Sequence, residues 1–100
     1  MAVSRNWYAR AFIGYAGFEL IVTGEANVGM LTVMPVLEES IPPGYNMTIL
    51  DLNLLNAVDA QPENFKSVQY NQKLLQIDQY ASLQIYHDYK VIATIQVIKS

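Results

Sequence analysis

Apolar and polar residues alternate along much of the chain with a period of two. In "TILDLNLLN", Ile49 or Leu50, together with Leu52 and Leu54, alternates with Asp51 and Asn53, which predicts a strand with one buried and one solvated face. The segments "SVQYNQ" and "SLQIYHD" repeat this alternation, and "FELIVTGEANV" and "LTVMPVLEE" are also typical of strands. The chain is therefore expected to be built mainly from short strands.

The last segment, "YKVIATIQVIK", is rich in β-branched residues and apolar on both faces. This pattern favours a central strand, or a strand whose second face is covered by a partner. Helical signals are weak, and at most a short turn is expected near 59–64 or in "NQKLLQIDQYA". Pro42-Pro43-Gly44 indicates a loop, and 56–65 is the longest polar connection. The pattern predicts one all-β domain over residues 1–100, a small antiparallel β-sandwich or barrel of six to seven strands.

Composition changes this picture in one respect, because only 15% of the residues are charged and 52% are hydrophobic. Soluble domains carry about 25% charged residues, so part of the apolar surface is expected to be buried against a second subunit. The predicted assembly is a homodimer. The six basic residues are scattered and the net charge is -3, which argues against a nucleic-acid partner.

The absence of cysteine rules out disulfides, thiolate metal sites and cysteine nucleophiles. The apolar run "AFIGYAGFELIV" is far shorter than the roughly 20 residues that span a bilayer, and Glu19 interrupts it. Gly14 and Gly17 also weaken a helix there, so neither a secretory signal nor a membrane segment is expected. A cytoplasmic location is the prediction.

Candidate catalytic groups are few. His87-Asp88 separates two strand patterns, and Asp is common in turns, so this pair is expected to lie in a hairpin turn rather than to act as a dyad. Glu38, Glu39 and Asp51 could bind a cation or act as paired carboxylates only if they converge in space, as in glycoside hydrolysis. No nucleophile-elbow, phosphate-loop or calcium-loop motif occurs. The chain is therefore expected not to be an enzyme and to need no metal or other cofactor.

Aromatic residues are the best candidates for binding. The chain has seven tyrosines and one tryptophan, whose side chains combine a large rigid area with a polar group. They are also ordinary strand residues, which is the simpler interpretation. Two hypotheses follow: a non-enzymatic protein-interaction module that self-associates, or a sandwich that binds a carbohydrate or another small ligand. The residues expected to contact a partner or ligand are Trp7, Tyr8, Tyr45, Tyr86 and Tyr89.

The stretch "VTGEANVGMLTVMPVLEESIPPGYNMTILDLNLLNA", followed by "SVQYNQ" and the two closing strands, carries a family resemblance. It resembles small bacterial all-β proteins in which a "V-T-G-x-A" strand precedes "P-x-G-x-N-P-x-I-L-x-L-x-L", and such chains are similar to products of mobile gene cassettes and phages. Met47 stands where that pattern has proline. The resemblance covers about two thirds of the chain, has no catalytic motif, and implies a fold rather than an activity.

Overall fold

The computed structural model describes residues 3–40 and 48–100, and these ranges contain eight strands and no helix. The strands form two open four-stranded sheets, with the orders β5-β2-β1-β8 and β3-β4-β6-β7. The all-β prediction is confirmed, and the two sheets make a sandwich rather than a closed barrel. The strands are β1 (Ser4–Gly14), β2 (Gly17–Asn27), β3 (Val36–Glu39), β4 (Ile49–Leu55), β5 (Phe65–Leu74), β6 (Ser82–His87), β7 (Lys90–Gln96) and β8 (Ile98–Lys99).

The eight strands are one more than the upper end of the expected six to seven, and β1 and β8 were not predicted as separate strands. The segment that imitates a signal peptide forms the β1–β2 hairpin, whose strands pair from Ser4 opposite Ala26 to Gly14 opposite Gly17. Gly17 has a φ of 122°, a conformation that suits glycine at the end of this tight connection. The second additional strand, β8, leaves the second sheet and pairs in parallel with β1 of the first.

The core lies between the two sheets, where the strand alternation directs aliphatic side chains inward. Leu52, Leu83 and Ile85 are completely buried on the second sheet, and Leu20 and Val22 face them from the first. Each such side chain contributes about 1.5–3 kcal/mol on burial. Smaller side chains on β1 also join the core, at Ala9 and Ala11.

Several details differ from the sequence expectations. β7 lies at the edge of its sheet instead of at the centre, and its apolar residues Ile92, Ala93 and Ile95 pack against the core. Val97, directly after β7, is buried. Of "LTVMPVLEE", only Val36–Glu39 pairs as a strand. β4 and β6 are parallel because the chain visits the first sheet, as β5, between them. The predicted loop Pro42-Pro43-Gly44 lies outside the described residues.

One end of the sandwich collects several connections. β2 and β4 end there and are followed by residues 28–35 and 56–64, and the β6–β7 turn, Asp88-Tyr89, lies at the same end. We call this region the loop end. Within the described part of the chain, there is no helix of the length and apolarity needed to cross a membrane.

Candidate functional site

The loop end is held together by Asn27, the last residue of β2 and a completely buried polar side chain. Its Oδ1 accepts hydrogen bonds from the backbone N–H groups of Gly29 and Asn64, both at 2.9 Å, and its Nδ2 donates to the Ala60 carbonyl at 3.1 Å. Its backbone carbonyl also accepts from the Val58 N–H. A single side chain therefore fixes two connections that are more than thirty residues apart.

His87 makes a similar link from the second sheet. It is the last residue of β6, and its Nε2 lies 2.8 Å from the Ala57 carbonyl oxygen. Because a carbonyl can only accept, Nε2 carries the proton and donates. Nδ1 is 3.8 Å from an Asp88 carboxylate oxygen, too far for a hydrogen bond. The hairpin prediction is confirmed, but the turn lies one residue later than expected, and His87 anchors it to residues 56–64 rather than forming part of it.

The hairpin turn has an unusual residue at its tip. Asp88 and Tyr89 have φ angles of 51° and 64°, the combination that defines a two-residue type I′ turn. Such turns favour Asn-Gly or Asp-Gly, and a bulky aromatic residue with positive φ is strained. Tyr89 is also fully exposed. The sequence thus places a large aromatic side chain at a position where local backbone energetics favour glycine.

A groove of about 290 Å³ runs between the end of β4 and this hairpin. Tyr86 and Tyr89 contribute its aromatic surface, and the polar groups come from Asn53, Asn56, His87 and Asp88. A second groove of about 510 Å³ lies on the other side of the hairpin and includes Lys90. The loop end therefore offers concave surface on both sides of His87.

An apolar surface adjoins the first groove. Val36 and Leu55 are exposed and lie opposite each other in the β3–β4 pair. The Asn56 amide donates to the Met34 carbonyl at 3.1 Å, which fixes the preceding segment beside β4. No charged residue occurs between Val28 and Leu37. We call the exposed apolar side chains of this region the methionine patch: Met30, Leu31, Val33, Met34, Val36 and Leu55.

The five aromatic candidates do not form one surface. Trp7 is half-buried and packs against the core, and its indole N–H donates to Ser4 Oγ at 2.8 Å. Tyr8 is exposed on β1, in the other sheet from the hairpin. Tyr45 lies outside the described residues. Only Tyr86, which is half-buried, and Tyr89 are brought together, at the groove of about 290 Å³.

The three carboxylate candidates are distributed over both faces of the second sheet. Glu39 lies two residues after buried Leu37 and therefore on the same face of the sheet as Leu37. Glu38 lies on the opposite face, with Asn53 as its cross-strand neighbour. Asp51 shares that outer face, and one of its carboxylate oxygens is buried without a partner. No group of three or more metal-ligating side chains occurs among the described residues. Glu38 and Glu39 thus cannot act together on one ligand.

Sequence reasoning missed a row of hydrogen-bonded side chains that starts on β5, the edge strand of the first sheet. Tyr70 donates to Gln72 Oε1 at 2.7 Å, and Gln72 Nε2 donates to the Tyr80 hydroxyl oxygen at 2.9 Å. Burial, with smaller contributions from Glu39 and Tyr80, raises the pKa of Tyr70 to about 12. The alternation in "SVQYNQ" identified Tyr70 as a strand residue, but nothing in the sequence placed Glu39 near it.

A polar cluster lies on the outer face of the first sheet. The Arg5 guanidinium Nε is 3.1 Å from a Glu25 carboxylate oxygen, and its Cζ lies 3.8 Å from the centre of the Phe65 ring. Hydrogen bonds from Asn6 and Arg5 hold the pKa of Glu25 below its usual range. These groups satisfy one another, so this surface is best explained as a solvated sheet face.

The chain matches no protein-family model, no curated protein and no solved structure. The resemblance to small bacterial all-β proteins therefore stays a prediction, and the functional argument depends on the geometry of the loop end.

Proposed function

We propose that the protein is a non-enzymatic interaction module that self-associates as a homodimer through the methionine patch. The observation that carries this proposal is the concentration of exposed apolar residues at one end of the sandwich. Most large apolar side chains that are exposed among the described residues lie at the loop end or on strands that reach it: Met30, Leu31, Val33, Met34, Val36, Leu55, Tyr89 and Val91.

The size of the patch supports a second copy of the chain as its occupant. Met30 is 84% exposed and Met34 57%, and the other four members are each at least 40% exposed. Together these side chains present roughly 500 Å² of apolar surface, at the upper end of what monomers expose. A standard interface buries about 800 Å² per partner, so the patch and a modest rim suffice for a dimer.

Charge also favours self-association here. A net charge of -3 gives only a weak, salt-screened repulsion between two copies, so the main electrostatic condition is a contact surface that brings no like charges together. The methionine patch meets this condition, because Glu38 and Glu39 lie beyond it on β3. A two-fold axis brings the same patch of both copies together, and flexible methionine side chains can adapt to this contact.

The edge strand β7 is a weaker interface, although its sequence pattern first suggested association. It begins with a charged residue, Lys90, and its pairing with β6 is irregular between Ile85 and Tyr86. Both features are ones that natural proteins use to prevent edge pairing. The proposed dimer leaves β7 free and exposes the hairpin tips to a further protein partner. We place this activity in the cytoplasm, where a chain without cysteine needs no disulfide.

The test is the solution mass across a dilution series that reaches below micromolar, measured by size-exclusion chromatography with light scattering. The wild-type chain should be a dimer. Met34→Glu places a carboxylate of each copy in the same interface, and it should weaken association at least about 100-fold, since such like-charge contacts cost several kcal/mol.

The matched control is Leu75→Glu, because Leu75 is 91% exposed and lies at the opposite end of the sandwich. This variant should remain dimeric. The proposal is overturned if the wild-type chain is a monomer throughout the series, or if Met34→Glu and Leu75→Glu have equal effects on the mass.

A further inference from the structure

We propose a second site at the loop end: the groove of about 290 Å³ beside the β6–β7 hairpin binds a neutral carbohydrate of one or two rings. This inference does not depend on the proposed dimer, although Leu55 of the methionine patch also borders the groove. It rests on three features of the groove: its size and aromatic walls, the chemistry of its polar groups, and the strained position of Tyr89.

The dimensions suit a small ring ligand. Small-molecule sites usually have volumes of about 300–1,000 Å³, and this groove lies at the lower limit. Tyr86 and Tyr89 both border it. The apolar C–H face of a sugar ring can pack against an aromatic ring of this kind, and the phenol hydroxyl remains available to a sugar hydroxyl.

The polar groups around the groove suit hydroxyl groups. Asn53 and Asn56 each carry an amide that can both donate and accept, and the Asp88 carboxylate can accept from two hydroxyls. The Asn56 amide N–H₂ donates to the Met34 carbonyl, and the amide oxygen can accept from a ligand hydroxyl. The Tyr86 hydroxyl donates to Gln84 Oε1 at 3.0 Å and can still accept a further bond.

The charge of the groove argues against the other common classes of small ligand. The described residues that line it include no lysine or arginine, so it lacks the cations that hold a phosphate or carboxylate. A cationic ligand would find only the Asp88 carboxylate, and this side chain is 88% exposed. A neutral, hydroxyl-rich molecule is the class that fits amides, one carboxylate and two aromatic rings.

Backbone strain gives independent support. Tyr89 has a φ of 64°, and its ring does not pack in the core, since the whole residue is exposed. Glycine would satisfy the turn at lower energy. Strained residues of this kind are typical of functional positions, where the surrounding structure holds them in place.

The experiment is an NMR titration of the full chain with glucose, galactose, mannose, N-acetylglucosamine, maltose and cellobiose, followed through backbone amide shifts. At least one of these sugars should bind in the millimolar range, as small neutral ligands do in shallow sites. The shifts should be confined to the groove, at Asn53, Asn56 and residues 86–89.

Tyr89→Gly separates binding from folding. It removes the aromatic ring and also relieves the turn, so this variant should keep a Tm at least equal to that of the wild-type chain while its affinity falls about tenfold or more. Tyr15→Gly is the control, because Tyr15 is an equally exposed tyrosine in the turn between β1 and β2. It should leave the affinity unchanged.

Three results would overturn the proposal. The first is an absence of shifts with all six sugars, and the second is a set of shifts that lies elsewhere on the surface. The third is full binding by Tyr89→Gly. None of these results bears on the dimer, whose test depends on Met34 and on solution mass.

Discussion

Replacing Asn27 with alanine tests whether one buried amide holds the loop end in place. The substitution removes the acceptor of the Gly29 and Asn64 N–H groups and the donor to the Ala60 carbonyl. A donor that stays buried without a partner costs about 1–3 kcal/mol. The Gly29 N–H is buried, whereas Asn64 is exposed and water can reach its amide more easily.

The expected loss follows from these two environments. Assigning about 2 kcal/mol to the Gly29 amide and about 1 kcal/mol to the Asn64 amide gives a loss near 3 kcal/mol in the free energy of unfolding. This is a large fraction of the 5–15 kcal/mol that stabilises a typical domain. With a urea m-value of about 1.3 kcal/mol/M, the midpoint should fall by about 2 M.

Urea unfolding followed by Trp7 fluorescence measures this loss, since Trp7 is half-buried against the core. Amide hydrogen exchange locates it: the Gly29 and Asn64 amides should be protected in the wild-type chain and should exchange much faster in Asn27→Ala. Asn71→Ala is the control, because Asn71 is an exposed strand residue whose amide oxygen accepts a hydrogen bond from the Gln69 side chain, and it should change stability by less than about 0.5 kcal/mol.

The reasoning is refuted if Asn27→Ala loses less than about 1 kcal/mol while the Gly29 and Asn64 amides keep their protection. In that case other contacts would hold residues 28–35 and 56–64. The grooves beside His87 would then not depend on Asn27.

Two further predictions concern the first sheet and its edge. Gly24→Ala should destabilise the fold by about 1–3 kcal/mol and alter the Trp7 fluorescence, because the added Cβ would collide with the Trp7 ring. An unchanged urea midpoint would contradict this prediction. For Tyr70, the pKa is raised from 10.0 to about 12 in the folded chain, so its contribution to stability is complete below pH 10 and is lost as the pH rises towards 12. Urea midpoints between pH 9 and 12 should show this fall, and Tyr70→Phe should reduce it more than Tyr15→Phe.

The sequence predicted the strands whose alternation is regular. Leu50, Leu52 and Leu54 point into the core as expected, and so do Leu83 and Ile85. Their positions follow from local periodicity, because adjacent side chains of any strand point to opposite faces. Fold class was therefore predictable from residue pattern alone.

β1 was missed for a physical reason. Its pairing with β2 is irregular between Arg5 and Tyr8, and Asn6 has a φ of 58° at this point. Such a bulge shifts the alternation by one residue, so the apolar positions before and after it do not form one pattern. The edge position of β7 was missed because Ile92 and Ile95, which pack against the core, give an edge strand the same apolar pattern as a central strand.

The candidate site was only partly predictable. The hairpin containing His87 and Asp88 follows from two adjacent strand patterns, and Tyr86 and Tyr89 were among the five aromatic residues expected to contact a partner or ligand. Their convergence with Asn53 and Asn56 depends on the parallel pairing of β4 and β6, which no local signal encodes. The role of Asn27 was equally hidden, since its partners come from distant segments.

The crossing of the chain from β7 to β8 has a consequence for the order of folding. Ile98 pairs with Arg10, and the Ser100 N–H donates to the Ala11 carbonyl at 3.1 Å. Contacts between such distant residues form slowly because a long loop must close first. On the ribosome, the β1–β2 and β6–β7 hairpins can form as they emerge, but the β1 edge stays open until residues 98–100 have left the exit tunnel. Until that pairing forms, β1 has an unpaired edge, a state that favours aggregation and that holdase chaperones are suited to protect.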